Sequence, residues 1–463
     1  MEDLCYLPAG VLADRLRRRE LTATEALNSC VERIEKHNPS LNAVVSADFD
    51  RAREAAVAAD RALALDETVG PLHGVPMILK DGHDVAGLRT TVGTEVFDRT
   101  PEQDGTVAAR LRAAGAIIVG HSNVPPFLAD YRTDNPIFGR TNNPWNLHRT
   151  PGGSSGGAAA ALAAGLTPVE VGSDLAGSLR LPPHFCGVYG LKATEHRVPT
   201  TGFFRPPHGT PRSVRVLGSL GPMARDLDDL ELVLRVIAGP DGQDSEVPPV
   251  PLGARQRRRL PELRLAVAPA LPGTTVAASL RGEVERVATR ASDAGARVTQ
   301  RLPDVDWQEL RLFGELLTAV TGVFNPGAQL SDEHRGLAWY LAALDRRDRF
   351  TGAWEAFFDG QDALILPPAM TTAFGHDTTA DAEQGHLMVF ANLAGLPALT
   401  VPAGLDGDGL PIGIQIVGPR WSELRLLDIA GALEEADILP GFTRPPGYCP
   451  SAPRTRDISA AQG

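Results

Sequence analysis

The chain contains 45 lysines and arginines, and only Lys36, Lys80 and Lys192 among them are lysine. Arginine stays protonated inside a protein, whereas a buried lysine can shed its proton and serve as a base. Lys80 closes the apolar stretch Val75-Pro76-Met77-Ile78-Leu79, which predicts a strand ending in an amine among apolar neighbours. A second concentration of chemistry runs from Arg149 to Thr194. It opens on Gly152-Gly153-Ser154-Ser155-Gly156-Gly157 and passes through an alanine run. It reaches Ser178 in the turn that begins Leu175-Ala176-Gly177, just past a strand predicted at Pro168 to Val171. A serine that attacks a carbonyl needs a base and N–H donors for the oxyanion. Consecutive backbone N–H groups at Ser178, with Lys80 as a neutral amine, meet both needs. The carboxyl end of a strand is also where sites in open α/β sheets lie.

Simpler readings of the glycine–serine loop compete. Before a helix, such a loop is often only a turn with an N-cap. As a phosphate cradle it lacks the Lys-Ser/Thr ending of a P-loop, which argues against nucleotide binding. Gly152 to Gly156 also spells G-x-S-x-G, but the nucleophile elbow requires a hydrophobic strand directly before it. Asn142 to Pro151 is polar and broken by proline, so the elbow is rejected. His184, beside Phe185 and Cys186, reads as packing. Lys192, at the end of a strand predicted at Val188 to Leu191, reads as structural.

The elements that position these residues follow from periodicity. Thr22 and Glu25 have capping-box spacing, and Leu27, Cys30, Val31 and Ile34 then share a helical face. A second helix is expected from Ala52 to Ala64. Strands at Val75 to Leu79, Ala116 to Val119, Pro168 to Val171 and Val188 to Leu191 alternate with helical stretches such as Thr106 to Ala114. That alternation predicts an α/β layered fold around a largely parallel sheet. Gly239 to Arg259, rich in proline and glycine, reads as a linker. Beyond it come a strand at Leu263 to Val267, a helix at Ser279 to Gly295, and strands at Ala363 to Leu366 and Ile412 to Val417. The expected organisation is one domain over 1–463. Its parts are N-terminal helices (1–70), a core with the chemical block (71–238, block 149–194), a linker (239–262), a second half sharing the sheet (263–440) and a tail (441–463), poorly ordered after Gly447.

Composition narrows the function classes. With 463 residues, 43% hydrophobic and 22% charged, the chain reads as a soluble globular protein with ample core. A net charge of −12 argues against nucleic acid or an anionic membrane as partner. Met1-Glu2-Asp3 lacks a basic signal-peptide region, and no apolar run reaches the ~18 residues of a membrane span. Cys5, Cys30, Cys186 and Cys449 are scattered without a CxxC pair, as expected of a reduced, cytoplasmic protein.

Taken together, these segments resemble the amidase signature family. The resemblance rests on the glycine–serine block, GVPMILKDGHDVAG (Gly74 to Gly87), ANLAGLPALTVPAG and LPIGIQIVGP, in family order, and extends to about Ala436. It implies an α/β fold with a large mixed, twisted sheet flanked by helices on both faces. It further implies amide hydrolysis by a Ser–cis-Ser–Lys triad without metal or cofactor. Residue by residue, Lys80 matches the general base, Ser154 the bridging serine after a cis peptide bond, and Ser178 the nucleophile, 24 residues beyond Ser154. Leu175, Ala176, Gly177 and Ser178 match the oxyanion donors, and Ser155, Ser173 and Asp174 the supporting polar residues. The acyl pocket maps to segments containing Tyr131, Asp134, Phe203, Phe204 and His208. Trp354, Phe357 and Phe358 read instead as helix core. Ala176 departs from the family, which often has glycine there; a positive φ would strain alanine at that position.

The resemblance also admits the glutamine-hydrolysing component of a tRNA-dependent amidotransferase. In that component, glutamine usually follows the signature arginine and an SSLDQIGP-like stretch comes later. Here Leu181 follows Arg180 and the stretch is Gly218-Ser219-Leu220-Gly221-Pro222, so the independent amidase is the preferred reading. An acyl transferase and an inactive scaffold are the remaining alternatives. The expected partner is a small-molecule amide, with no nucleic acid or membrane, and a homodimer is allowed.

Overall fold

The computed structural model describes residues 4–205, 214–321, 336–378 and 382–448. Its strands are β1 Val44–Ala47, β2 Pro76–Lys80, β3 Ile117–Ser122, β4 Asp134–Asn135, β5 Gly139–Arg140, β6 Val169–Asp174, β7 Tyr189–Lys192 and β8 Ser219–Ala224. They continue with β9 Arg264–Val267, β10 Arg297–Gln300, β11 Ala363–Leu366, β12 Ala398–Leu405 and β13 Pro411–Val417. Among the described residues, eleven of these form one sheet in the order β1-β3-β2-β6-β8-β7-β12-β13-β11-β9-β10, with β4 and β5 a separate hairpin.

The sheet is mixed, as the family resemblance implies, and not largely parallel, as the alternation of elements predicts. The pairs β2/β3, β2/β6, β9/β11 and β9/β10 are parallel, while every pair from β6/β8 through β11/β13 is antiparallel. The antiparallel centre comes from β8 and β12, proline- and glycine-containing strands (Ser-Leu-Gly-Pro-Met-Ala and Ala-Leu-Thr-Val-Pro-Ala-Gly-Leu) whose composition masks them as strands in the sequence.

Helices flank the sheet. The first four are α1 Ala9–Arg17, α2 Ala23–Leu41, α3 Phe49–Ala64 and α4 Thr106–Ala113. The expected capping box is present at α2: Thr22 Oγ1 accepts from Glu25 N–H at 3.1 Å, and Glu25 Oε2 accepts from Thr22 N–H at 2.8 Å. Leu27, Cys30, Val31 and Ile34 are buried on its inner face. Helix α5 (Gly156–Ala163) is wholly buried, and its small side chains let it run close to its neighbours. A Cβ on Gly157 would stand 2.4 Å from the Asn123 backbone nitrogen. The remaining helices are α6 Leu181–Cys186, α7 Leu227–Ile237, α8 Ala278–Asp293, α9 Arg311–Thr321, α10 Leu337–Phe358, α11 His386–Leu393 and α12 Glu423–Glu435. Trp354, Phe357 and Phe358 sit in the core on α10, with Trp354 stacked on Phe390 at 4.7 Å, as the sequence reading expects.

Residues 240–259 connect the halves without helix or strand. The two halves nevertheless share the sheet through β7 and β12, where Ala398, Leu399 and Thr400 pair with Lys192, Leu191 and Gly190. No helix among the described residues is long and apolar enough to cross a membrane.

Candidate active site

Strands β2, β3 and β6 run parallel and finish at Lys80, Ser122 and Asp174, so their carboxyl ends bring polar side chains to one edge of the sheet. Lys80 is completely buried. Its Nζ lies 2.7 Å from Ser154 Oγ, 2.8 Å from Ser155 Oγ and 3.0 Å from Ser173 Oγ. Ser154 Oγ is in turn 2.9 Å from Ser178 Oγ, and the Ser154 N–H donates to that same oxygen at 3.0 Å. The Gly153–Ser154 peptide bond is cis. The structure thus joins Lys80, Ser154 and Ser178 in one hydrogen-bonded line and places Ser155 and Ser173 around the amine.

Electrostatics suit a base. Burial pushes the Lys80 amine down from 10.5 to about 7, opposed by Glu170 and Asp174. Its three serine partners can each donate or accept, so a neutral amine is satisfied there as well as an ammonium.

The turn after β6 is held by Asp174. Its carboxylate accepts from the N–H groups of Gly177 at 2.8 Å and Leu179 at 2.9 Å, from Arg180 through two nitrogens at 2.9 and 3.0 Å, and from Asn392 Nδ2 at 2.9 Å. Burial alone would raise the Asp174 pKa, but Arg180, Lys192 and Asn392 hold it well below the ordinary carboxylate range. Gly177 N–H, expected among the oxyanion donors, is therefore committed to Asp174; Leu175, Ala176 and Ser178 carry the turn's remaining N–H groups. The expected strain at Ala176 is absent, because the positive φ falls on Gly177 (φ 119°) instead. A Cβ on Gly177 would also come within 2.2 Å of Met388 Sδ.

Arg180 and Asn392 were not among the expected site residues. Both are completely buried, and Arg180 also donates to Met388 O at 2.7 Å and Asn392 Oδ1 at 2.6 Å. An arginine two residues beyond Ser178 was the available signal; Asn392, more than two hundred residues distant, offered none.

Two cavities meet beside Leu175. One, of about 620 Å³, is lined by Phe127, Leu128, Ser154, Ser173, Phe203 and Phe204. The other, of about 1110 Å³, is lined by Tyr131, Ala176, Ser178, Trp307, Leu317 and Val389. Of the residues expected to line the pocket, Tyr131, Phe203 and Phe204 line these cavities, and the Tyr131 hydroxyl donates to Ala176 O at 3.1 Å. Asp134 does not. In β4 the side chains alternate, so Asn135 turns inward while Asp134 is exposed and pairs with Arg140 at 3.3 Å. His208 lies outside the described residues.

The other candidates have structural surroundings. His184 Nδ1 accepts from Gly413 N–H at 2.7 Å and its Nε2 lies 3.1 Å from Thr371 O, while burial lowers its pKa to about 4. Lys192 donates to Leu396 O at 2.8 Å and Ala193 O at 3.3 Å. Among the described residues, no group of three His, Cys, Asp or Glu side chains is placed to hold a metal ion.

Comparison with known proteins identifies the scaffold. The amidase family model matches residues 25–319 and 311–427. The chain belongs to the amidase signature family. This amidase-family enzyme is 34% identical to the A component of the glutamyl-tRNA(Gln) amidotransferase of Synechococcus sp. (strain RCC307), over 93% of this chain and 97% of that protein. It is likewise 34% identical to the putative amidase AmiB2 of Mycobacterium bovis, over 94% of this chain and 97% of that one. Among solved structures, a bacterial aryl acylamidase of the amidase signature family superposes with a TM-score of 0.80 at 25% identity, covering 94% of this amidase and 96% of the acylamidase.

Proposed function

We propose that this enzyme hydrolyses a small-molecule amide through an acyl-enzyme on Ser178. The observation that supports the reading is the unbroken line Lys80–Ser154–Ser178 ending beside a turn with N–H donors. Ser178 Oγ attacks the amide carbonyl as its proton passes to Ser154 Oγ and the proton of Ser154 passes to neutral Lys80 Nζ. The new C–O bond places negative charge on the carbonyl oxygen, which the N–H groups of Leu175, Ala176 and Ser178 stabilise. Lys80 returns its proton to Ser154, Ser154 protonates the leaving nitrogen, and the C–N bond breaks. Water then attacks the Ser178 ester by the same relay, releasing a carboxylic acid and regenerating the serine. Ser155 and Ser173 orient the amine, and Asp174 with Arg180 fixes the turn.

The cavities on the two sides of Leu175 support a substrate with organic groups on both sides of the carbonyl, and Phe127, Phe203 and Phe204 favour aryl or alkyl groups. The test is a panel of primary, N-aryl and N-alkyl amides followed by mass spectrometry. Turnover of N-substituted amides by the wild type, abolished in Ser178→Ala, supports the proposal; full turnover by Ser178→Ala sinks it.

The similarity to amidotransferase components motivates a second reading, glutamine hydrolysis in delivery of ammonia to a partner. Leu181 and Gly218 to Pro222 stand against it. Glutaminase activity together with a co-purifying partner protein would favour it over the independent amidase.

A further inference from the structure

Glu170 lies within the same sheet as the relay and has no part in the steps above. It is one of two acids in the buried strand β6, the other being Asp174 at its end, and it is completely buried. The register places it on the Lys80 side of the strand. Glu170 pairs with Ile78 on β2, and Lys80, two residues beyond Ile78, points to the same face. Lys80 pairs in turn with Ser122 on β3, so Ser122 shares that face as well. The Ser122 hydroxyl donates to Glu170 Oε1 at 2.6 Å, while Glu170 Oε2 is buried with no hydrogen-bond partner among the described residues. Between Glu170 and the turn stands Gly172, where a Cβ would press within 2.9 Å of Ser155 Oγ; its bare backbone keeps the space beneath the amine open to Ser155.

A carboxyl kept in such a place is costly unless an opposite charge is near. Of the other charged and titratable groups around the pair, Asp174 also favours the ammonium but divides its charge among several partners, and buried Asp81 accepts from Thr91 N–H and Oγ1. Asp174 faces Arg180 and Lys192, and His83 and His121 are buried, with burial pushing both toward the neutral form. The relay, however, must create an ammonium at Lys80 each time Ser178 attacks, and the Lys80 side chain is completely buried.

Resting on the relay proposed above, we infer that Glu170 is a positioning residue that acts through Lys80. Its carboxylate is the counter-charge for the ammonium formed when Lys80 takes the serine proton. Burial raises the Glu170 carboxyl to about 8, opposed by Ser122 and Lys80, so the ammonium formed at Lys80 draws the carboxyl toward its ionised form and the two ionisations are coupled. An ionised Glu170 favours protonated Lys80. Removing it makes Lys80 easier to deprotonate and less able to take a proton back.

The experiment reads the rate at which a fluorophosphonate modifies Ser178 as a function of pH, with the full chain and peptide mass spectrometry to locate the adduct. For the wild type the rate rises with pH as Lys80 becomes neutral. In Glu170→Gln the midpoint of that rise moves down by roughly one pH unit and the plateau rate falls. Ser122→Ala, which leaves the carboxyl in place but removes its one hydrogen bond, moves the midpoint in the same direction by less. It carries the test if the glutamine variant does not fold. A change in plateau rate or thermal stability with an unmoved midpoint in the folded variants overturns the role of Glu170. Absence of any adduct on wild-type Ser178 overturns the relay itself, and the inference with it.

Discussion

Lys80 differs from the other two lysines in what surrounds its amine. Lys36 is exposed on α2, and Lys192 is spent on two carbonyl oxygens, which only accept and so require its protons. Lys80 faces three hydroxyls within 3.0 Å, which tolerate either charge state, and a carbonyl oxygen, Ser173 O, only at 3.4 Å. Two predictions belong to this residue. Lys80→Arg loses as much kcat/KM as Lys80→Ala, on the order of a thousandfold, because a guanidinium carries charge but accepts no proton. An arginine variant retaining half the wild-type rate would show an electrostatic role instead. The second concerns pH: because burial holds the amine near 7, below its ordinary 10.5, it is protonated and idle in acid. Amide turnover therefore rises with pH through about 7 and then levels, as a pH–rate profile would show. In the sequence, scarcity singles out Lys80 and the turn after the strand singles out Ser178, whereas Ser154 is picked out only by the family resemblance. The facing of Asp134 is set by a two-residue strand too short to show alternation in the sequence, whereas Glu170 between two valines is a visible anomaly.

At the scale of elements, the turn from Asp174 to Arg180 is where the site is held. Asp174→Ala would leave Arg180 buried without its carboxylate, a change that typically costs about 3–5 kcal/mol. Urea unfolding of that variant should show a loss of this size, and a loss below about 1 kcal/mol would mean that Met388 O and Asn392 hold the guanidinium unaided. Gly177→Ala is expected to disturb the same turn, since it meets both a φ of 119° and the Met388 sulfur. Activity should fall at least tenfold while the rest of the far-UV spectrum is retained. Strands β2, β3 and β6 are readable because each opens on a short run rich in apolar or β-branched residues. Strands β8 and β12 are not, because proline and glycine interrupt their pattern, and the antiparallel centre of the sheet is missed with them.

Over the whole molecule, the linker at 239–262 suggested two halves, yet the contacts that matter cross between them. Asn392 reaches Asp174, Glu423 pairs with buried Arg197 at 3.1 Å, and β12 pairs with β7. Such crossings depend on partners hundreds of residues apart and leave no periodic trace. They predict that the halves unfold together. Calorimetry should give one transition with equal calorimetric and van't Hoff enthalpies, whereas two separated transitions would show independent halves.

The most direct test of the central claim is labelling of the intact enzyme with a fluorophosphonate, followed by peptide mass spectrometry. The relay predicts a single adduct on Ser178, formed far more slowly in Ser154→Ala and Lys80→Ala and absent from Ser178→Ala. An adduct on another residue, or equal labelling in the Lys80→Ala variant, would contradict it.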